Sequence, residues 1–195
     1  MKHIIPLFLL SFIGCQSAHI IDPKSLPRQV ASRQEIQLLS SDGTQISLTN
    51  LYQNHTATVL LFWQIGCPCV KRYQERINKL AAQFSPENVA FIYISSNNNE
   101  TFDNVKIEYQ KRGLTLPLMR DEGGILAQAI GAKGTPTAAV INQKGEMIFL
   151  GWIDNERYEH ESGRVAYLEN ALNEYLNSHA VTLNTSPMFG CSIQN

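Results

Sequence analysis

The chain has 195 residues, 44% of them hydrophobic and 17% charged, with a formal net charge of -1. That length allows one domain with a full core plus appendages, and the composition is that of a globular protein. A near-neutral charge with no block of Lys and Arg excludes the electrostatic footprint of a nucleic-acid binder.

Residues 1–14 read as a secretory signal. Met1-Lys2-His3 is a short basic start, and the stretch from Ile4 to Ile13 is nearly all apolar but too short to span a bilayer comfortably. Phe12-Ile13-Gly14-Cys15 resembles a bacterial lipobox, in which the cysteine is lipidated and becomes the mature N-terminus. A plain cleaved signal is disfavoured, since a cut after Ala18 would put Gln16 where a small residue is wanted. Gln16 is not the Asp that signals inner-membrane retention, so the expected location is the outer membrane, facing the periplasm. Acyl chains contribute about 0.8 kcal/mol per buried CH₂. Residues 15–33, with Pro23 and Pro27, read as lipid anchor and tether. Cys67, Cys69 and Cys191 then remain outside the cytosol, where disulfides persist. Their odd number leaves one thiol free whenever an internal pair forms.

The domain follows over residues 34–178. Residues 35–39 and 45–48 are expected strands around a turn at 41–44, and 58–63 is a buried strand without polar alternation. Val70, Tyr73, Ile77, Leu80, Ala81 and Phe84 give helical spacing over 67–84, stopped at Pro86. A buried strand at 89–95, a helix at 100–112, an extended segment at 116–119 and a short helix at 124–130 come next. Strands at 137–142 and 146–151 flank a hairpin turn, and Val165, Leu168, Ala171, Leu172, Tyr175 and Leu176 make a last helix. This order implies a central mixed sheet with helices on both faces. Residues 179–195 are a tail carrying Cys191.

The chemistry lies where the strand ending in Phe62-Trp63 leads to Cys67-Pro68-Cys69 and a helix. A strand that delivers a cysteine to the first turn of a helix sets it among unpaired N–H groups and partial positive charge, which stabilise thiolates. Cys67 is the expected nucleophile. Cys69 can reach a disulfide separation from it, but Pro68 fixes φ and the small ring must strain, which makes such a bond labile; the alternative is a packed, inert thiol. Cys191 sits in a Gly-flanked tail that can fold back over the site. A bond from it to Cys67 or Cys69 would close a loop worth about 4–5 kcal/mol in the chain-entropy model. A structural staple or a free tail thiol are the other readings.

Three blocks make the chain resemble thioredoxin-fold proteins of the redoxin group, in the alkyl hydroperoxide reductase/thiol-specific antioxidant branch. They are Phe62-Trp63-x-x-x-Cys67, Gly134-Thr135-Pro136-Thr137 ahead of a strand, and the hairpin Asn142-Gln143-Lys144-Gly145-Glu146. Cys67-Pro68, Gly151-Trp152-Ile153-Asp154 and Gly190-Cys191-Ser192-Ile193 are similar to a peroxiredoxin-like family within it. The resemblance implies a thioredoxin-like α/β fold with Cys67 as the attacking cysteine. It also implies a cis bond before Pro136, facing the cysteines, with the Thr135 backbone offering strand-like hydrogen bonds to a substrate peptide. Trp63, part core and part wall, and Pro68 complete the expected substrate-binding set.

The expected activity is thiol–disulfide exchange in the cell envelope, with Cys67 attacking and Cys69 or Cys191 resolving. Its partners are protein or small-molecule disulfides and thiols, an envelope electron donor and, through Cys15, the membrane; no cofactor, resident metal or nucleic acid is expected. A Cu(I) chaperone is the binding-class alternative, using the thiolates with His55, His160 or His179. A thiol peroxidase is the other, although Pro-x-x-x-Thr-x-x-Cys is absent before both Cys67 and Cys69. Leu61 stands where thioredoxin has a buried Asp, which argues against a fast general reductant.

Overall fold

The computed structural model describes Val30 and residues 35–155, 163–188 and 190–194. The signal, Cys15, the rest of the tether and His160 lie outside the described residues.

β1 (Gln37–Ser40) and β2 (Gln45–Ser47) form the hairpin expected from the Asp42-Gly43 turn. The chain then enters α1 (Leu48–Tyr52), whose first residue the sequence pattern assigns to the end of the preceding strand. Ser47 supplies the cap, its hydroxyl accepting from the Asn50 N–H at 3.1 Å. Leu48, Leu51 and Tyr52 turn inward together. A single helical turn is too short for its periodicity to stand out in the sequence.

β3 (Ala57–Phe62), α2 (Pro68–Phe84), β4 (Val89–Ser95), α3 (Phe102–Lys111), β5 (Leu118–Arg120) and α4 (Ile125–Ile130) follow. β6 (Gly134–Thr135) and β7 (Thr137–Asn142) are separated by Pro136, and β8 (Met147–Gly151) and α5 (Tyr167–Ser178) complete the domain. The tail adds β9 (Cys191–Ser192). Seven strands lie in the order β2-β1-β5-β4-β3-β7-β8, and β6 pairs with β9 as a separate two-stranded sheet. β3 runs parallel to β4 and antiparallel to β7, which sets it near the middle of the large sheet. Every residue of β3 is buried.

Alternation along the strands divides the core in two. Val59 and Leu61 pack with Tyr73 and Ile77 of α2 and Leu168 and Leu172 of α5. Leu60 and Phe62 pack on the other face with Leu48 and Leu51 of α1 and Leu126 and Ile130 of α4. The fold is thioredoxin-like, with a mixed sheet and helices on both faces. Among the described residues no helix is long and apolar enough to cross a membrane.

Two buried contacts hold the region after β8. Arg76 of α2 donates to both oxygens of the Asp154 carboxylate at 2.7 and 2.6 Å, and the Arg164 Nε lies 3.5 Å from it. The burial of Asp154 with a guanidinium ties the β8–α5 connection to α2. The tail starts on the outer edge of β8, where the Leu150 N–H donates to the Asn184 carbonyl at 3.0 Å. The Trp152 N–H donates to the Ser186 hydroxyl at 2.6 Å. Gly151 lies so close beneath Ser186 that any Cβ there would overlap its side chain.

Candidate functional site

β3 ends at the centre of the sheet, and its ladder extends one residue further, the Trp63 N–H donating to the Ile94 carbonyl at 2.9 Å. The loop 64–66 then carries the chain to Cys67, which occupies the N-cap position of α2, with Pro68 in the first turn. Pro68 suits this place, since its ring presets the helical φ and it lacks the N–H that would stay unpaired. The Cys67 sulfur makes no hydrogen bond to the helix end. It donates instead to the Thr135 carbonyl oxygen at 3.4 Å. Thr135 precedes Pro136, and the bond between them is cis.

The tail crosses this point. β9 pairs antiparallel with β6, so that Cys191 stands opposite Thr135 and Ser192 opposite Gly134. The Ile193 N–H extends the pairing to the Lys133 carbonyl at 3.0 Å. At the far end Gln194 is gripped from the loop after β4: its N–H donates to the Asn97 side-chain oxygen at 2.6 Å, and its carbonyl accepts from the Asn98 N–H at 2.8 Å. The Asn97 amide also donates to the Gln64 side chain at 2.7 Å, joining the cysteine loop to the tail. Gly190 has a φ of 141°, and a Cβ on it would overlap the Thr135 carbonyl. Only glycine lets the strand approach this closely.

Cys67 and Cys191 are free thiols in direct interaction. Burial foremost, then the hydrogen bond and charge of Cys67, push the Cys191 thiol up to about 12. Cys67 itself is 1% exposed. Cys69 is buried in the first turn of α2 and is disulfide-bonded, with neither Cys67 nor Cys191 as its partner. A helical residue two positions on points to another side, so Cys69 turns into the core while Cys67 faces Thr135. The structure therefore brings together Cys67, Thr135, Pro136 and Cys191, and sets Cys69 apart.

Trp63, expected as part wall, is 1% exposed and packs edge-on against Tyr93 with 6.4 Å between ring centroids. The exposed residues of the rim are Gly66 and Pro68. Leu61 lies on the α2 side of the sheet in the same core cluster as Cys67 and Cys69, so no carboxylate reaches them from that position. A carboxylate does reach the loop ahead of Cys67: Glu100, just before α3, accepts from the Ile65 N–H at 2.8 Å. Its burial raises its pKa above the usual carboxylate range, and its second oxygen has no hydrogen-bond partner among the described residues. Nothing in the spacing between Glu100 and Ile65 marks this contact.

His55 precedes β3 at the end of the strand away from Cys67, and its Nδ1 lies 3.1 Å from the Asn88 side chain. His179 stacks edge-on with Tyr175. Neither is gathered with the cysteines, and no three His, Cys, Asp or Glu side chains converge among the described residues.

A family model described as Redoxin matches residues 26–168. The thiol-disulfide oxidoreductase ResA of Halalkalibacterium halodurans is 27% identical over 125 residues, covering 64% of this chain and 69% of that protein. A crystal structure of an uncharacterized conserved protein from Geobacillus kaustophilus superposes with a TM-score of 0.75 at 25% identity, covering 91% of this chain and 94% of the other. The thioredoxin domain of a thiol-disulfide oxidoreductase from Bacteroides vulgatus shares the fold, with a TM-score of 0.57 at 13% identity over 76% of this chain and 98% of that one.

Proposed function

The chain belongs to the Redoxin family, and on that premise we propose that it is a thiol–disulfide oxidoreductase in which Cys67 attacks and Cys191 resolves. The observation that carries this reading is the meeting of the two free thiols at Thr135, one from the N-terminus of α2 and one from the tail. The likeness to ResA supports the same class of reaction.

The Cys67 thiolate attacks a substrate disulfide R–S–S–R′. A Cys67–S–S–R bond forms and R′–S⁻ leaves. The Cys191 thiolate then attacks the Cys67 sulfur, forming the Cys67–Cys191 disulfide and releasing R–S⁻. Two electrons pass from the two enzyme thiols to the substrate, whose product thiolates take up the two protons. A dithiol reductant resets the pair by the reverse exchange. Burial foremost, with the neighbouring Cys67 adding to it, holds Cys191 in its protonated form, which suits it to act second. Thr135 and Pro136 form the floor on which the exchanging sulfurs align, and Pro68 and Gly66 the open rim.

Export and attachment to the envelope membrane through Cys15 complete the reading and rest on the first fifteen residues alone. The mass of the mature N-terminal peptide tests the anchor.

Disulfide exchange with a fluorescence-quenched diglutathione disulfide tests the activity. Cys67→Ala abolishes turnover, Cys191→Ser stalls with substrate bound through Cys67, and Cys69→Ser retains turnover. Turnover that survives Cys67→Ala rejects the assignment.

A further inference from the structure

β6 has no place in the seven-stranded sheet, and among the described residues its strand pairing is with β9. Residues 190–194 thus lie on it as an added strand, with Cys67 buried beside them. They are held by one short pairing and by the Gln194 clamp. Isolated two-stranded pairings of this length are marginal, and segments held this way open before the rest of a fold. The preceding stretch is fastened more firmly: Ser186 on Trp152, and Met188 buried with its sulfur 3.2 Å from the Thr137 hydroxyl. The chain can peel from β6 while its root stays on β8.

We propose that residues 190–194 are a displaceable strand that covers Cys67 by occupying the place expected at Thr135 for an extended substrate peptide. This rests on Cys67 being the attacking thiol. An edge strand offers its carbonyl and N–H groups to any extended chain. A segment that pairs with Thr135 in the register of the tail sets its own cysteine where Cys191 now stands, against Cys67. The overlap at Gly190 fixes a preference within that class: the residue before the cysteine must be glycine or must hold its backbone further from Thr135. The strand's return after the first exchange expels the segment and delivers Cys191 to the mixed disulfide. One element serves as cover for the thiol and as carrier of the resolving sulfur.

Alkylation of Cys67 by iodoacetamide, followed by peptide mass spectrometry on reduced samples, reads the cover directly. Cys191→Ser keeps the strand without its thiol and is the closed reference. Deletion of residues 190–195 raises the Cys67 alkylation rate about tenfold or more over that reference, and Gly190→Val, which cannot seat the strand, does the same. A synthetic peptide of residues 184–195 carrying Cys191→Ser, added to the deletion variant, slows alkylation again. Equal rates in the reference and the deletion variant, or no protection by the peptide at millimolar concentration, overturn the proposal. Alkylation needs no disulfide exchange, so this result stands apart from the turnover of Cys67→Ala, which decides the catalytic reading.

Discussion

Thr135 and Cys191 are cross-strand partners, and the carbonyl oxygen of that same Thr135 accepts the Cys67 thiol at 3.4 Å. One backbone position thereby gathers two sulfurs that stand more than a hundred residues apart in the chain. The tail is seated by features upstream and downstream of Cys191, so perturbations at a distance from the sulfurs have defined consequences.

The Cys191 thiol, pushed from 9.0 to about 12 mainly by burial, makes tail docking sensitive to alkali. A folded-state pKa above the unfolded value means that this contribution to stability is full below about pH 9 and is lost as pH rises toward 12. The urea midpoint of the reduced protein falls more steeply between pH 9 and 11 than that of Cys191→Ser, which lacks the titrating group. Parallel midpoint curves for the two proteins contradict this.

Gly151→Ala disturbs the root of the tail. Its new Cβ overlaps Ser186, whose hydroxyl accepts from Trp152, so residues 184–188 leave the edge of β8. Limited proteolysis then cuts the tail about tenfold faster than in the parent protein, while circular dichroism of the domain is retained. A tail equally resistant in both proteins removes Ser186 from the account.

Asp154→Ala leaves the Arg76 guanidinium facing a site built for a carboxylate. Breaking a buried pair on one side costs about 3 kcal/mol, read as a lower urea midpoint with the slope unchanged. A midpoint within error of the parent would show that Arg76 finds water instead.

Glu100 carries a raised carboxyl pKa, caused first by burial. Its contribution is therefore full in the protonated form, below the ordinary value of 4.5, and declines as pH rises above it. Glu100→Gln imitates the protonated group and keeps an oxygen for the Ile65 N–H, so at pH 7 it is as stable as the parent or more so. Glu100→Ala leaves that N–H unpaired and loses about 1 kcal/mol. A Gln variant as weak as the Ala variant contradicts the reading, and thermal melts of the pair measure it.

Much of the fold was legible because its signals are local. The unbroken apolar run of β3, the spacing from Val70 to Phe84 and the punctuation by Pro86, Gly113 and Gly131 mark a buried strand and its helices in one dimension. The placement of Cys67 at the start of α2 was legible for the same reason. α1 was hidden because a single turn carries almost no period. β6 and β9 were hidden because two residues opposite two others leave no pattern, and their pairing is a property of tertiary approach. Glu100 reaches Ile65, and Asp154 reaches Arg76, across long stretches of chain that spacing cannot measure. The preference for Cys191 over Cys69 as the proposed resolving thiol draws on tertiary placement that the sequence does not carry: Cys69 is buried in the core, and Cys191 stands opposite Thr135.

Peptide mapping of the unreduced protein after one turnover with a disulfide substrate identifies the resolving cysteine. The peptides holding Cys67 and Cys191 are expected to be linked to each other, and their linkage to disappear on treatment with a dithiol. Linkage of Cys67 to Cys69, with Cys191 recovered as a free thiol, would contradict this pairing.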